Sequence, residues 1–292
     1  MKKDLVVKTN RLNQAFQMLS LAELHIVQLA IVDARETGTG LSTDTPLRID
    51  AKRYAEVFDT TRQNAYQRMK EAEDTLFNRR FSFYDDEGIL VKSRWISQVR
   101  YLDDQGAIEV VFTPAVVQGI SRIDGVKEFF TQYLLSQTAH LKSVYSARLY
   151  ELLIQWRSTG KVPMVDLTTF REQLGVGVNE YQRMHHFKAR VLDLAINEIN
   201  EKTDIVVKYE QHKNGRLIKG FSFSFKQKQS ISNEKTANAL PDLNTVDMFH
   251  KLTEKQLDMF SSKLADLPAV QAMAHVGEDM KPFVARLRSM LM

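Results

Sequence analysis

The feature that most constrains this chain is an order of elements that occurs twice. Ser20-Leu-Ala-Glu23 has the form of a capping box and opens "LAELHIVQLAIVDAR", which is apolar at helical spacing and stopped by Gly38 and Gly40. "LRID" (47–50) then reads as a short strand, 51–58 as a short amphipathic helix, and Thr60-Thr61 as the cap of a longer helix over about 62–78. "RRFSFYDD", "GILVKSRWISQVRYLDD" and "AIEVVFTP" are β-rich runs broken at Glu87-Gly88 and Gln105-Gly106, which predicts a three-stranded meander.

After a long helical region over 127–160 the same grammar returns. "VPMVD" is a short strand, and "LTTFREQLGV" is a short helix stopped by Gly175 and Gly177. "EYQRMHHFKARVLDLAINEINEKT" is a long helix, and two β-runs flank His212-Lys-Asn-Gly215, where Asn-Gly favours a two-residue hairpin turn. Asp50 aligns with Asp166 and Tyr54 with Phe170. "NAYQRM" (64–69) and "NEYQRM" (179–184) agree at five of six positions, 115 residues apart. Helix, strand, short helix, long helix and β-hairpin is the order of a winged helix. The expected fold is therefore α+β, with two tandem winged-helix domains, 1–141 and 142–228. From Gln229 the chain turns polar and aperiodic, so 229–246 is expected to be a linker and 247–292 a helical tail.

Composition narrows the chemistry. The chain has 292 residues, 43% hydrophobic and 26% charged, and no cysteine, which excludes disulfides, thiolate metal sites and cysteine nucleophiles. No run reaches the ~18 apolar residues of a membrane span, and the first ten residues lack the apolar core of a secretory signal. A cytoplasmic protein that does not enter membranes is expected. The net charge of +4 is unevenly placed. Residues 1–141 hold 18 Lys+Arg against 19 Asp+Glu, 142–228 hold 15 against 9, and 229–292 hold 7 against 8. The positive excess lies in the second module, which favours a polyanion partner there over mere solvation.

At 100° per residue, Met184, Phe187 and Val191 of the second long helix share a stripe that faces a core. The opposite side presents Gln182, His185, His186 and Ala189, flanked by Arg183 and Arg190, with Lys188 nearer the core edge. Such groups at a helix N-terminus suit the major groove of double-stranded DNA, where arginine reads guanine and glutamine reads adenine. The second hairpin carries Lys208, Lys213, Arg216 and Lys219, placed for a phosphate strand. Read through the shared Tyr-Gln-Arg-Met, the first helix has Glu71 and Asp74 where the second has His186 and Ala189. Carboxylates there are repelled by both phosphate rows. The first module's turns are acidic too, with Asp85, Asp86, Glu87, Asp103 and Asp104. Self-association is its expected task, with auxiliary DNA contact from Arg62, Arg68, Arg79 or Arg80; solvated turns are the alternative.

Enzymatic readings find little support. There is no Gly-rich phosphate loop ending in Lys-Ser/Thr. His185-His186 lacks a further ligand, and no strand-borne His-x-His accompanies a tyrosine nucleophile. No catalytic residue, metal or cofactor is expected.

These same residues carry a resemblance. "FKARVLDLAINEINEKTDI" (187–205), "YLLSQTAHLKSVYSARLYELL" (133–153) and "NQAFQMLSLAELHIVQLAI" (13–31) resemble the iteron-binding plasmid replication initiators, over about residues 8–228. The resemblance implies monomers that bind repeated origin sequences and start plasmid replication, and dimers, formed mainly through the first domain, that repress their own promoter. It implies as partners double-stranded DNA, a second copy, the host initiator and helicase, and chaperones that convert dimer to monomer. It puts the DNA-reading role on Arg183, Lys188 and Arg190. A winged-helix transcriptional repressor without initiator activity is the rival, and a nicking enzyme a more distant one.

Overall fold

The computed structural model describes residues 4–121, 129–228, 261 and 283–285. The chain divides into two compact units, Met1–Ser230 and Ile231–Met292. Of the expected linker and tail, only 261 and 283–285 are described; those four are helical, and Ser261 and Phe283 are buried.

The first unit opens with β1 (Leu5–Thr9), α1 (Asn10–Gln14), β2 (Phe16–Gln17) and α2 (Leu21–Thr37). The expected capping box is formed at α2: the Ser20 hydroxyl accepts from the Glu23 N–H, and the Glu23 carboxylate accepts from the Ser20 N–H. Gly38 ends α2 in the left-handed conformation. Leu24, Ile26, Val27, Leu29, Ile31 and Val32 are all buried, so α2 is wrapped on nearly every side and forms the central pillar of the first module.

Next come β3 (Leu47–Asp50), α3 (Ala51–Val57), α4 (Arg62–Leu76), β4 (Arg80–Tyr84), β5 (Leu90–Arg94), β6 (Ile96–Leu102), β7 (Ala107–Phe112) and α5 (Pro114–Ile120). The expected three-stranded meander is four strands in two sheets. β4 and β5 join β2 in the order β2-β4-β5, while β6 and β7 join β3 in the order β3-β7-β6. The β-rich run "GILVKSRWISQVRYLDD" is expected to be one strand, but Trp95 breaks it. Its side chain is buried against Phe81 at 4.6 Å, and the chain changes sheets there.

The second correction concerns 127–160. Its first described part is β8 (Phe130–Leu134), antiparallel to β1, with Thr131 and Tyr133 inward and the alternate residues outward. That is a two-residue period, not a helical one. α6 (Ser136–Ala139) and α7 (Val144–Ile154) follow. The repeat then runs β9 (Lys161–Asp166), α8 (Leu167–Leu174), α9 (Met184–Phe187), a π-helical turn (Lys188–Leu192), α10 (Asp193–Lys202), β10 (Ile205–Asn214) and β11 (Leu217–Gln227). The sheet order β9-β11-β10 reproduces β3-β7-β6. Asp50 and Asp166 both end the short strand and cap the short helix, so their predicted equivalence is met.

Two features join the modules. Arg148 of α7, 2% exposed, donates to the carbonyls of Asn13 (3.1 Å) and Gln173 (3.1 Å), one in each module. Its neighbour Glu151 accepts from Lys8 (2.7 Å), Gln28 (3.0 Å) and Tyr133 (2.6 Å), and also pairs with Arg148. Burial pushes the Glu151 carboxyl up, but Lys8 and Arg148 together hold it at about 2. At Gly175, which ends α8 at φ +78, an added Cβ would lie 2.5 Å from the Gln17 carbonyl oxygen. Only glycine permits both that turn and that approach.

Candidate nucleic-acid interface

The second long helix is built on an aromatic core. Phe170 of α8, Phe187 of α9, and Phe221 and Phe223 of β11 pack with ring centroids 5.3–6.3 Å apart. Each fully buried ring contributes about 1.5–3 kcal/mol, which fixes α9 to the sheet. Val191, Leu192, Ala195, Ile196 and Ile199 continue the buried stripe. Met184, expected on that stripe, is only partly buried.

The helix starts later than expected, at Met184 instead of about 180. Gln182 and Arg183 precede it, both exposed, in a loop over 175–183. Tyr181 has φ +45 and packs edge-on to Tyr145 at 6.1 Å. Arg183 is the N-cap residue, yet its side chain makes no capping hydrogen bond. By contrast, the Thr61 hydroxyl caps α4 by accepting from the Asn64 N–H.

This late start changes the comparison between the two long helices. Counting from the caps, Ala65 and Met69 are the fourth and eighth residues after Thr61, and Phe187 and Val191 are the fourth and eighth after Arg183. Beyond them the π turn adds one residue, so Ala72 and Leu76 answer to Ala195 and Ile199. The Tyr-Gln-Arg-Met identity therefore does not mark equivalent positions. It falls inside α4 in the first module, but in the second its first three residues precede α9 and only Met184 begins the helix. The positions matching His185, His186, Ala189 and Arg190 are Gln63, Asn64, Gln67 and Arg68, all exposed. Glu71 and Asp74 lie farther along α4, so the expected acidic face does not stand where the second helix has His186 and Ala189.

His185, His186, Ala189 and Arg190 are exposed along the start of the helix. The two imidazoles lie 4.0 Å apart at 59°. Among the described residues no three His, Asp or Glu side chains are grouped to hold a metal. Lys188 is half-buried: its ammonium lies 5.5 Å over the Tyr209 ring and 3.4 Å from the Gln211 side-chain oxygen. It thus ties the helix to β10. Lys213, Arg216 and Lys219 are exposed around the hairpin. The turn residues are Gly215 and Arg216, one position later than Asn-Gly suggested, and Lys219 is the extra residue of a bulge opposite His212 and Lys213.

Of the auxiliary cations, Arg68 and Arg80 are exposed. Arg62 donates to the Gln105 carbonyl at 3.1 Å, tying α4 to the β6–β7 turn. Arg79 is bound to the buried Glu23 at 2.9 Å and 3.1 Å. The acidic turns are also engaged: Asp103 accepts from Lys70 (2.9 Å) and from Tyr66, and Asp86 pairs with Arg11 at 2.5 Å.

Two winged helices, each offering a polar, partly cationic helix start beside a β-wing, define a class of double-stranded-DNA-binding architecture. Family models place the chain within it: "Initiator Replication protein, WH1" matches residues 5–154, and "Initiator Rep protein, WH2" matches 166–225. The chain belongs to this family of plasmid replication initiators. It is 27% identical over 256 residues to the PI protein of Escherichia coli, covering 77% of this chain and 83% of that protein. An uncharacterized 27.6 kDa protein of Escherichia coli is 25% identical over 236 residues, covering 77% and 96%. The solved Pi initiator protein, in complex with iteron DNA, matches at 26% identity and a TM-score of 0.65, over 78% of this chain and 99% of that one.

Proposed function

We propose that this initiator binds repeated duplex sequences of a plasmid origin, and that the helix start at 182–190 reads them. The observation that carries the reading is this helix start: exposed Gln182, Arg183, His185, His186, Ala189 and Arg190, with no side chain of the cap residue closing its N-terminus. Backbone N–H groups at such an end attract phosphate, while the side chains reach base edges. Lys213, Arg216 and Lys219 then meet the adjacent backbone, and Lys188 holds helix and wing in register. The likeness to a Pi initiator solved on iteron DNA supports the same reading.

Domain 142–228 is the main reader in this scheme. Domain 1–141 takes self-association and a second DNA contact, through Arg62 and Arg68 together with the exposed amides Gln63, Asn64 and Gln67. Arg79 drops out, because Glu23 already holds it. Copies on neighbouring repeats bend the DNA beside an A·T-rich stretch at a cost of order 1–10 kcal/mol per site. The host initiator and helicase are recruited there, without bond-breaking by this chain. As a dimer the protein represses its own promoter, and chaperones shift dimer to monomer.

Footprinting the DNA that flanks the coding gene tests this. Protection of several direct repeats next to an A·T-rich segment is expected. Protection of a single inverted repeat alone would assign the chain to transcriptional repression instead.

A further inference from the structure

The loop over 175–183 that delivers Gln182 and Arg183 contains an unusual backbone. Tyr181 has φ +45, one of two non-glycine residues with positive φ among those described. Such a conformation is strained for a residue with a Cβ and persists only where its surroundings impose it. Arg171 of α8 supplies that constraint. One guanidinium nitrogen donates to the Tyr181 carbonyl at 3.2 Å and another to the Glu180 carbonyl at 2.5 Å. The guanidinium plane also lies 4.9 Å from the Phe187 ring on the underside of the reading helix.

Glu180 turns back on the same loop. Its carboxylate accepts from the Gly177 N–H at 2.9 Å and from the Tyr145 hydroxyl at 3.4 Å. A rigid fork thus spans two consecutive carbonyls immediately before the exposed Gln182 and Arg183, and it is anchored on the ring that fixes the helix.

We propose that Arg171 is a positioning residue for sequence readout: it locks Tyr181 in the left-handed conformation and so aims Gln182 and Arg183. Arg171 itself need not touch DNA. This inference rests on the DNA-reading function proposed above. A lysine at 171 keeps the charge and the ring contact but cannot bridge two carbonyls with one planar fork. Asparagine tolerates positive φ, whereas a β-branched residue does not.

The test uses the full chain and two duplexes: one enriched by the wild-type protein from a random-sequence pool, and its shuffled counterpart. Arg171→Lys is expected to bind the enriched duplex about tenfold more weakly, as for loss of one good base contact, with shuffled-duplex affinity and melting temperature unchanged. Tyr181→Val, with Arg171 intact, should reproduce that loss and Tyr181→Asn should not. Arg171→Lys combined with Tyr181→Asn should regain part of it. Wild-type affinity in Arg171→Lys, equal losses on both duplexes, or equal binding by Tyr181→Val and Tyr181→Asn would each overturn the clamp. A wild-type chain that enriches no sequence overturns the DNA-reading function and the clamp with it.

Discussion

Thr61 and Arg183 hold the same place in the two modules, one residue before a long helix, and only Thr61 closes its helix with its own side chain. A free N-terminus is a stability cost that suits an anion-binding end. Arg183→Ser supplies the missing cap and removes a cation. It is expected to raise unfolding free energy by about 0.5–2 kcal/mol while weakening DNA binding. Thermal melts and gel shifts on the same preparation would show whether the two move in opposite directions.

Arg190 is exposed on the helix flank, level with Arg68 of the first module. If it reads a base, Arg190→Ala should cost roughly 1–3 kcal/mol in specific binding and little on shuffled DNA. Quantitative gel shifts at fixed salt measure both.

Register by capping makes Ala189 answer to Gln67, with Asp74 well beyond it. Ala189→Glu should therefore weaken DNA binding strongly, and Gln67→Glu measurably, because each puts a carboxylate toward phosphate. Asp74→Lys should alter affinity much less. Equal effects at 74 and 189 would restore the Tyr-Gln-Arg-Met alignment.

His25 is buried, stacked on Phe58 at 4.1 Å, and its Nε2 has no hydrogen-bond partner. Burial, with Arg68 adding to it, lowers its pKa from 6.5 to about 4. The unfolded chain therefore binds the extra proton between those values, and stability falls as pH drops from about 6.5 to about 4. The loss is of order 3 kcal/mol at one unit per 1.36 kcal/mol. In His25→Phe the urea midpoint should vary less with pH across that window.

Glu151 holds Lys8 and Arg148 in a buried cluster between the modules. Glu151→Gln leaves two buried cations short of their counter-charge and should destabilise the chain by about 3–5 kcal/mol. Urea unfolding at neutral pH reads this directly.

Local signals were legible in the sequence wherever local chemistry decides the structure. The Ser20–Glu23 box, the Asp50 and Asp166 caps and the stop at Gly175 follow from residues a few positions apart. The pairing of β1 with β8 did not, because Val6 and Tyr133 meet only in the folded chain. The change of sheet at Trp95 was hidden because the β-rich run over 89–104 has no Gly or Pro to mark it. The Tyr-Gln-Arg-Met identity misled because the loops before the two long helices, 58–61 and 175–183, differ in length. A π turn at Lys188–Leu192 then shifts the register once more. Counting from Thr61 would have pointed to Gln63, Asn64 and Gln67. No sequence pattern marks Arg171, whose role arises from a loop path.

The central claim is that Arg183 and Arg190 read duplex sequence from the start of the second long helix. Its most direct measurement is competition binding of the full chain and of the Arg183→Ala/Arg190→Ala double variant, on DNA flanking the coding gene and on shuffled DNA. The specific-to-shuffled affinity ratio should be high for the wild type and fall at least about a hundredfold in the variant, as for two lost base contacts. An unchanged ratio would contradict the claim.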